Sequence, residues 1–182
     1  MSKPSVPIRR QCGAVPFTVD SFGRVRVALL TSRETQRWVI PKGWPMAKRG
    51  AAEAARREVR EEAGLSGTII NVKPVGHYVY MKRLAPDQAV ACKVAVFLLR
   101  VHRELGVWPE RAQRVRAWFS PEVAAALVAE KGLAAILRRL TPNALNPGAK
   151  NPKGKRPKTM TSVMSPEGNT QNGVGCIDLA GR

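Results

Sequence analysis

The segment AAEAARREVREEA, residues 51–63, constrains this chain more than any other stretch. It is rich in strong helix formers, and Gly64–Leu65 follows as a C-terminal stop, so the spacing predicts one well-bounded helix. Ala52, Ala55, Val59 and Ala63 recur at helical spacing as a thin apolar stripe, small enough to lie close against a sheet. Offsets of three and four residues place Glu58, Glu61 and Glu62 together on one face. Like charges at that spacing repel, which costs an isolated helix a few tenths of a kcal/mol. A cation should therefore face them. Glu53, Arg57 and Glu61 succeed one another at intervals of four and offer a ladder of opposite charge beside the cluster.

Around this helix the pattern changes to strands. CGAVPFTV (12–19) and RVRVALLTS (24–32) read as strands around a DSFGR turn, and RWVIP (37–41) as a third, short one. PKGWPMAKRG (41–50) reads as a loop entering the helix. TIINVKPVGHYVYM (68–81) alternates, KRLAPDQ (82–88) reads as a loop, and ACKVAVFLLRVH (91–102) as a long apolar strand. RVRAWFS (114–120) adds another strand. Ser120, Pro121 and Glu122 start a helix over 121–140, interrupted or bent near Gly132. Hairpins interspersed with two helical segments predict an α+β fold, a mixed sheet sandwiched between helices rather than a doubly wound sheet.

Residues 141–182 have no aromatic residue and carry prolines at 142, 147, 152, 157 and 166. Such a segment buries too little apolar surface to offset its ordering entropy, so the domain is expected at 1–140 and a disordered tail at 141–182. The basic run KNPKGKRPK in that tail offers a weak, nonspecific contact for nucleic acid. The formal net charge is +18. Because the tail holds six of the 31 basic and two of the 13 acidic residues, +14 of that excess belongs to residues 1–140. An anionic partner is expected, either a phosphorylated small molecule or nucleic acid.

Several classes are set aside. No run approaches the roughly 18 apolar residues of a membrane span. The first residues, MSKPSVPIRRQCG, lack the apolar core of a signal peptide. Cys12, Cys92 and Cys176 show no metal-like spacing, which suits reduced thiols and a cytoplasmic setting.

The three carboxylates offer hard oxygen ligands, the donor type preferred by Mg²⁺ or Mn²⁺. Magnesium commonly shares its shell with substrate phosphates, which suits an acidic face on a basic domain. Gly43, Arg57, Glu58, Val59, Glu61, Glu62, Gly64 and Leu65 occupy eight of the nine fixed places in the pattern G-x5-E-x7-R-E-U-x-E-E-x-G-U, with U aliphatic. The chain thereby resembles the Nudix hydrolases over a box spanning 43–65. RRQCGAVPF, RWVIPKGW and WPERAQRVRAWFSPEVA are similar to the subgroup that hydrolyses diphosphoinositol and diadenosine polyphosphates. One place departs: Arg49 stands where the family has its first box glutamate, which commonly pairs with the box arginine. Glu53 is placed to supply that pairing to Arg57.

The resemblance implies a Nudix-type α/β/α sandwich and a metal-dependent hydrolysis of a pyrophosphate bond in a nucleoside-diphosphate-linked or polyphosphorylated small molecule. It implies Glu58, Glu61 and Glu62 as metal ligands, with the Gly43 carbonyl as a further one, and Arg57 as an orienting residue. Arg9, Arg10, Ser32, Arg33, Lys42 and Gly43 are the candidates for holding phosphates, with Lys82 and Arg83 as a second basic group. Trp38 and Trp118 are expected in the core, His77 in a structural role, and Glu104 and Glu110 receive no assignment. Two alternatives remain open: pyrophosphate removal from RNA 5′ ends, and a non-catalytic nucleotide- or RNA-binding module, which the Arg49 departure favours.

Overall fold

The computed structural model describes residues 8–46, 50–85 and 88–145. Within them the chain runs β1 (Arg9–Val19), β2 (Val25–Thr31), β3 (Trp38–Val39), β4 (Lys42–Gly43), α1 (Ala51–Ala63), β5 (Leu65–Ile69), β6 (Gly76–Ala85) and β7 (Gln88–Glu104). A 3-10 turn at Arg111–Gln113 leads to β8 (Arg116–Phe119), α2 (Pro121–Leu127), α3 (Lys131–Arg138) and α4 (Pro142–Leu145).

β7 is the axis of the sheet. It pairs parallel with β1, from Arg9 beside Cys92 to Phe17 beside Arg100. Its other edge takes β6 antiparallel along the first half and β5 antiparallel along the second. The free edge of β1 takes β4 at Cys12 and Gly13, and β2 at Phe17–Val19. β2 continues the sheet to β3 and β8.

Period-two alternation sorts the side chains into two cores. Cys12, Ala14, Ala28, Leu30, Phe97 and Leu99 face α1, whose Ala54, Ala55, Val59 and Ala63 close that layer. Val15, Phe17, Val27, Leu29, Val94, Val96 and Leu98 face the opposite way, onto Ala124, Leu133, Ile136 and Leu137 of α2 and α3. The result is the expected α/β/α sandwich around a mixed sheet. Three of those four α1 residues are alanine, so the helix lies near the sheet and holds its acidic face close to the strand ends. It ends at Gly64, whose φ of +62° suits glycine and whose N–H donates to the Arg60 carbonyl. Among the described residues no helix is long and apolar enough to cross a membrane.

Three sequence readings change. The KRLAPDQ segment is not all loop: β6 runs to Ala85, and Lys82 and Arg83 pair with Val90 and Ala89, while Pro86 and Asp87 lie outside the described residues. Both faces of this end of the hairpin are largely exposed, so no apolar alternation marks it. The stretch 68–81 is two strands, split between Ile69 and Gly76. The helical stretch 121–140 breaks at Val128–Glu130, where Val128 drops into the core beside Trp38. Gly132 lies inside α3, where an added Cβ would stand 2.9 Å from the Tyr78 Cβ; it is there for close approach to β6. α4 buries Leu145, so ordered packing extends past residue 140, while the tail expectation for 146–182 lies outside the described residues.

Candidate active site

Glu58 and Gly43 meet at the centre of the site. A Cβ built on Gly43 would lie 2.1 Å from Glu58 Oε1 and 2.2 Å from its carboxyl carbon. β4 carries Gly43 against β1, and α1 delivers Glu58 into the space that the missing side chain leaves. Burial first, then the charges of Glu62 and Glu61, push the Glu58 carboxyl up to about 7. Cys12 sits behind, with its thiol 3.8 Å from the Gly43 carbonyl oxygen, and burial pushes it up to about 11. That thiol is no nucleophile at neutral pH.

Glu62 is almost fully buried and doubly held. Arg114 donates to its Oε1 at 2.5 Å, and the Lys42 backbone N–H donates to Oε2 at 3.0 Å. Burial raises this carboxyl, and Arg114 and Lys42 oppose the rise. Arg114 spends its whole guanidinium on protein: Nε donates to Glu110 Oε2 at 2.5 Å and Nη1 to the Thr31 carbonyl at 3.0 Å. Its side chain is only 7% exposed, so this is an internal bridge between the box helix and β2. Nothing in the local sequence pattern identifies Arg114, because Glu62 lies 52 positions away.

Glu61 faces elsewhere. Its Oε1 accepts from Arg57 Nε at 2.6 Å, and it opens onto a groove with Arg60 and Arg103. Glu53 binds Arg56 at 2.6 Å, so the expected substitution toward Arg57 gives way to an i,i+3 pair, while the Arg57–Glu61 rung forms. Arg49 lies outside the described residues. Among the described residues no three His, Cys, Asp or Glu side chains are gathered into a metal shell. The donor set nevertheless fits a hard divalent cation: two coupled carboxylates, a third one turn away, and a backbone left open at Gly43.

Beside Glu62 lies a cleft of about 530 Å³. It gathers Ser32, Arg33 and Lys42 from the expected phosphate binders, together with Lys82 and Arg83. The loop between β2 and β3 shapes one wall: the Ser32 N–H donates to the Arg37 carbonyl, and the Ser32 and Thr35 hydroxyls bond at 2.7 Å. Arg9 and Arg10 do not reach the cleft. Arg9 stands 5.9 Å from the Trp44 ring, and Arg10 shares the strand face of Cys12. Burial pushes the Lys42 amine down.

The unassigned residues also find places. Glu104 binds Arg116 and accepts from Trp118 Nε1 at 2.9 Å, a brace between β7 and β8. Glu110 serves Arg114 and lies 3.8 Å from Arg33. Trp38 packs edge-on against Phe119 in the α2–α3 core, Trp118 borders the α1 core, and His77 is exposed on β6.

A family model described as the NUDIX domain matches residues 9–143, most of the chain. The chain belongs to the Nudix family. It is 32% identical over 108 residues to Nudix hydrolase 13, mitochondrial, of Arabidopsis thaliana, covering 57% of this chain and 53% of that one. It is 32% identical over 128 residues to Nudix hydrolase 16, mitochondrial, of the same plant, covering 64% and 70%. This Nudix chain thus spans about half the length of the first relative. Among solved structures it is similar to the C. elegans Ap4A hydrolase, with a TM-score of 0.52, 20% identity, and 72% and 95% of the two chains covered. It is also similar to the E. coli dihydroneopterin triphosphate pyrophosphohydrolase, with a TM-score of 0.55, 20% identity, and 74% and 95% covered. At such identities these neighbours share the fold.

Proposed function

We propose that this Nudix chain is a metal-dependent pyrophosphohydrolase acting on a polyphosphorylated small molecule of the dinucleoside polyphosphate or diphosphoinositol polyphosphate class. One observation carries the reading: the Glu58 carboxylate fills the space left by Gly43, one helical turn from Glu62, which lines a cleft rich in Lys and Arg. Carboxylates concentrated next to phosphate-binding cations make sense when a divalent cation joins the two.

Glu58, Glu61 and Glu62, with the Gly43 carbonyl, are the residues that would hold Mg²⁺ or Mn²⁺. When bound, such an ion neutralises phosphate charge and makes the anhydride open to attack. The chain's own residues do the rest. Arg114 and the Lys42 N–H fix the Glu62 carboxylate, so little ordering cost remains when it meets a charged ligand. Arg57 orients Glu61. Ser32, Arg33, Lys42 and Arg83 hold the phosphates that the metal leaves unneutralised, Arg by its planar fork and Lys as a point charge.

The test is a panel of dinucleoside polyphosphates, diphosphoinositol polyphosphates and 5′-triphosphorylated RNA, incubated with Mg²⁺ and followed by product identification. Glu58→Gln and Glu61→Gln are expected to lower turnover at least about a hundredfold. Preferential cleavage of the RNA assigns the 5′-end activity instead. Metal-independent RNA binding without cleavage of any pyrophosphate assigns the binding module and overturns the enzyme reading.

A further inference from the structure

The Tyr80 side of the cleft holds Arg37, which the proposed chemistry leaves without a stated role, beside Lys42. Lys42 Nζ stands 5.3 Å from the Tyr80 ring centre, and the Arg37 guanidinium 5.9 Å from the same ring. The ring is fixed from below, because the Tyr80 hydroxyl donates to Gln11 Oε1 at 2.7 Å. All four residues line the cleft. Among the described residues no carboxylate reaches Lys42 within salt-bridge distance, whereas Arg33 and Arg114 are already tied to Glu110 and Glu62. Lys42 therefore adds to this side a positive charge that no ion pair among the described residues offsets.

Arg37 has a support of its own. Glu130, the residue before α3, binds Arg37 Nη1 at 3.0 Å with a side chain only 8% exposed. Its second oxygen, Oε2, is buried and has no hydrogen-bond partner in the protein. A buried carboxylate half-satisfied in this way is costly unless it serves the group it holds. Glu130 does not line the cleft. It stands behind Arg37 and aims it.

We propose that Arg37 and Lys42, mounted on the Tyr80 ring, form an anion subsite for a phosphoryl group that is bound but not cleaved, and that Glu130 is its positioning residue. The proposal rests on the pyrophosphohydrolase reading and deepens it: the preferred substrates carry at least one phosphoryl group beyond the anhydride that is broken. The subsite recognises phosphate itself. The Tyr80 ring already carries two cations, so its π-face is occupied and phosphate number becomes the feature that is read.

Inorganic tripolyphosphate, titrated calorimetrically into the full chain in EDTA, tests the subsite without metal or turnover. Arg37→Ala is expected to weaken binding about tenfold or more, as for loss of a charged hydrogen-bonding partner. Glu130→Gln, which keeps shape but drops the charge, is expected to weaken it about three- to tenfold, and Glu130→Asp to restore part of the loss. Arg24→Ala, which removes one charge at the β1–β2 turn, is expected to shift binding less than twofold. Equal effects of Arg37→Ala and Arg24→Ala overturn the subsite. Wild-type binding by Glu130→Gln, with melting unchanged, overturns the positioning role. Binding that depends on Arg37 in a chain that cleaves nothing keeps the subsite and removes the enzymatic reading. Cleavage of pyrophosphates with tripolyphosphate binding indifferent to Arg37 does the reverse.

Discussion

Glu58 occupies the place where a side chain on Gly43 would have to stand, with its Oε1 2.1 Å from that virtual Cβ. The glycine is required here by what faces it, since its φ is not in the left-handed region. Gly43→Ala therefore has to expel the Glu58 carboxylate. A displacement on this scale at a reacting centre costs about a hundredfold in rate. The expected result is a loss of kcat/KM of at least that size, measured on whichever pyrophosphate the wild type cleaves. A Gly43→Ala protein with wild-type kcat/KM contradicts the placement of Glu58 in the site.

The Glu58 carboxyl also makes stability depend on pH. Its ordinary value is 4.5 and its folded value is about 7, so the folded chain keeps the proton longer than the unfolded chain. The stability this confers is complete below about pH 4.5 and is lost as the pH climbs through about 7. Allowing for its partial exposure, the metal-free protein should be weaker at pH 8 than at pH 4.5 by about 1–3 kcal/mol from this group. Glu58→Gln lacks the slope, and its Tm at pH 8 in EDTA is expected about 2–6 °C above the wild type. Added Mg²⁺ should raise the wild-type Tm and leave the variant unmoved.

Arg114 serves three acceptors in one buried fork: Glu62, Glu110 and the Thr31 carbonyl. Arg114→Ala strands two carboxylates, one of them almost fully buried, and about 3–5 kcal/mol of stability should go with it. Arg114→Lys is expected to recover little, because an ammonium cannot present three donors in that plane. Urea unfolding of both variants checks this, and a lysine variant as stable as wild type contradicts it.

Arg57 donates its Nε to Glu61 Oε1 at 2.6 Å and so orients that carboxylate. Arg57→Ala leaves Glu61 free to turn, and kcat/KM at limiting Mg²⁺ is expected to fall about ten- to a hundredfold. An unchanged value at limiting metal argues that Arg57 does not orient Glu61.

What was legible in the chain follows from the range over which each feature is determined. α1, β1 and β2 were readable because their signals are local: helix formers closed by Gly64, and alternation around the Asp20–Arg24 turn, where Asp20 Oδ1 accepts from the Phe22 and Arg24 N–H groups. The outer part of the β6–β7 hairpin was not, because Lys82–Ala85 has few buried side chains to impose a period. That Glu58 and Glu62 share a helix face follows from their spacing, while Gly43 was singled out by its place in the family pattern. Arg114 and Glu130 were not, since their partners Glu62 and Arg37 lie 52 and 93 positions away and come together only when the sheet closes. The charge of Arg9 and Arg10 does not say which face of β1 each takes; the register puts Arg9 on the face of Gln11 and Arg10 on that of Cys12.

The parallel ladder at the middle of the sheet joins β1 to β7 at a constant offset of 83 positions, from Arg9–Cys92 to Phe17–Arg100. During synthesis the first strand must therefore wait for its neighbour, and at 5–20 residues per second that interval is roughly 4–17 s. Pairings so distant also slow folding, because the chain between them is ordered before the contact rewards it. A nascent or truncated chain that stops short of Gln88 presents one bare edge of β1 to whatever strand it meets, so this protein is more exposed to mispairing at its birth than in its finished state.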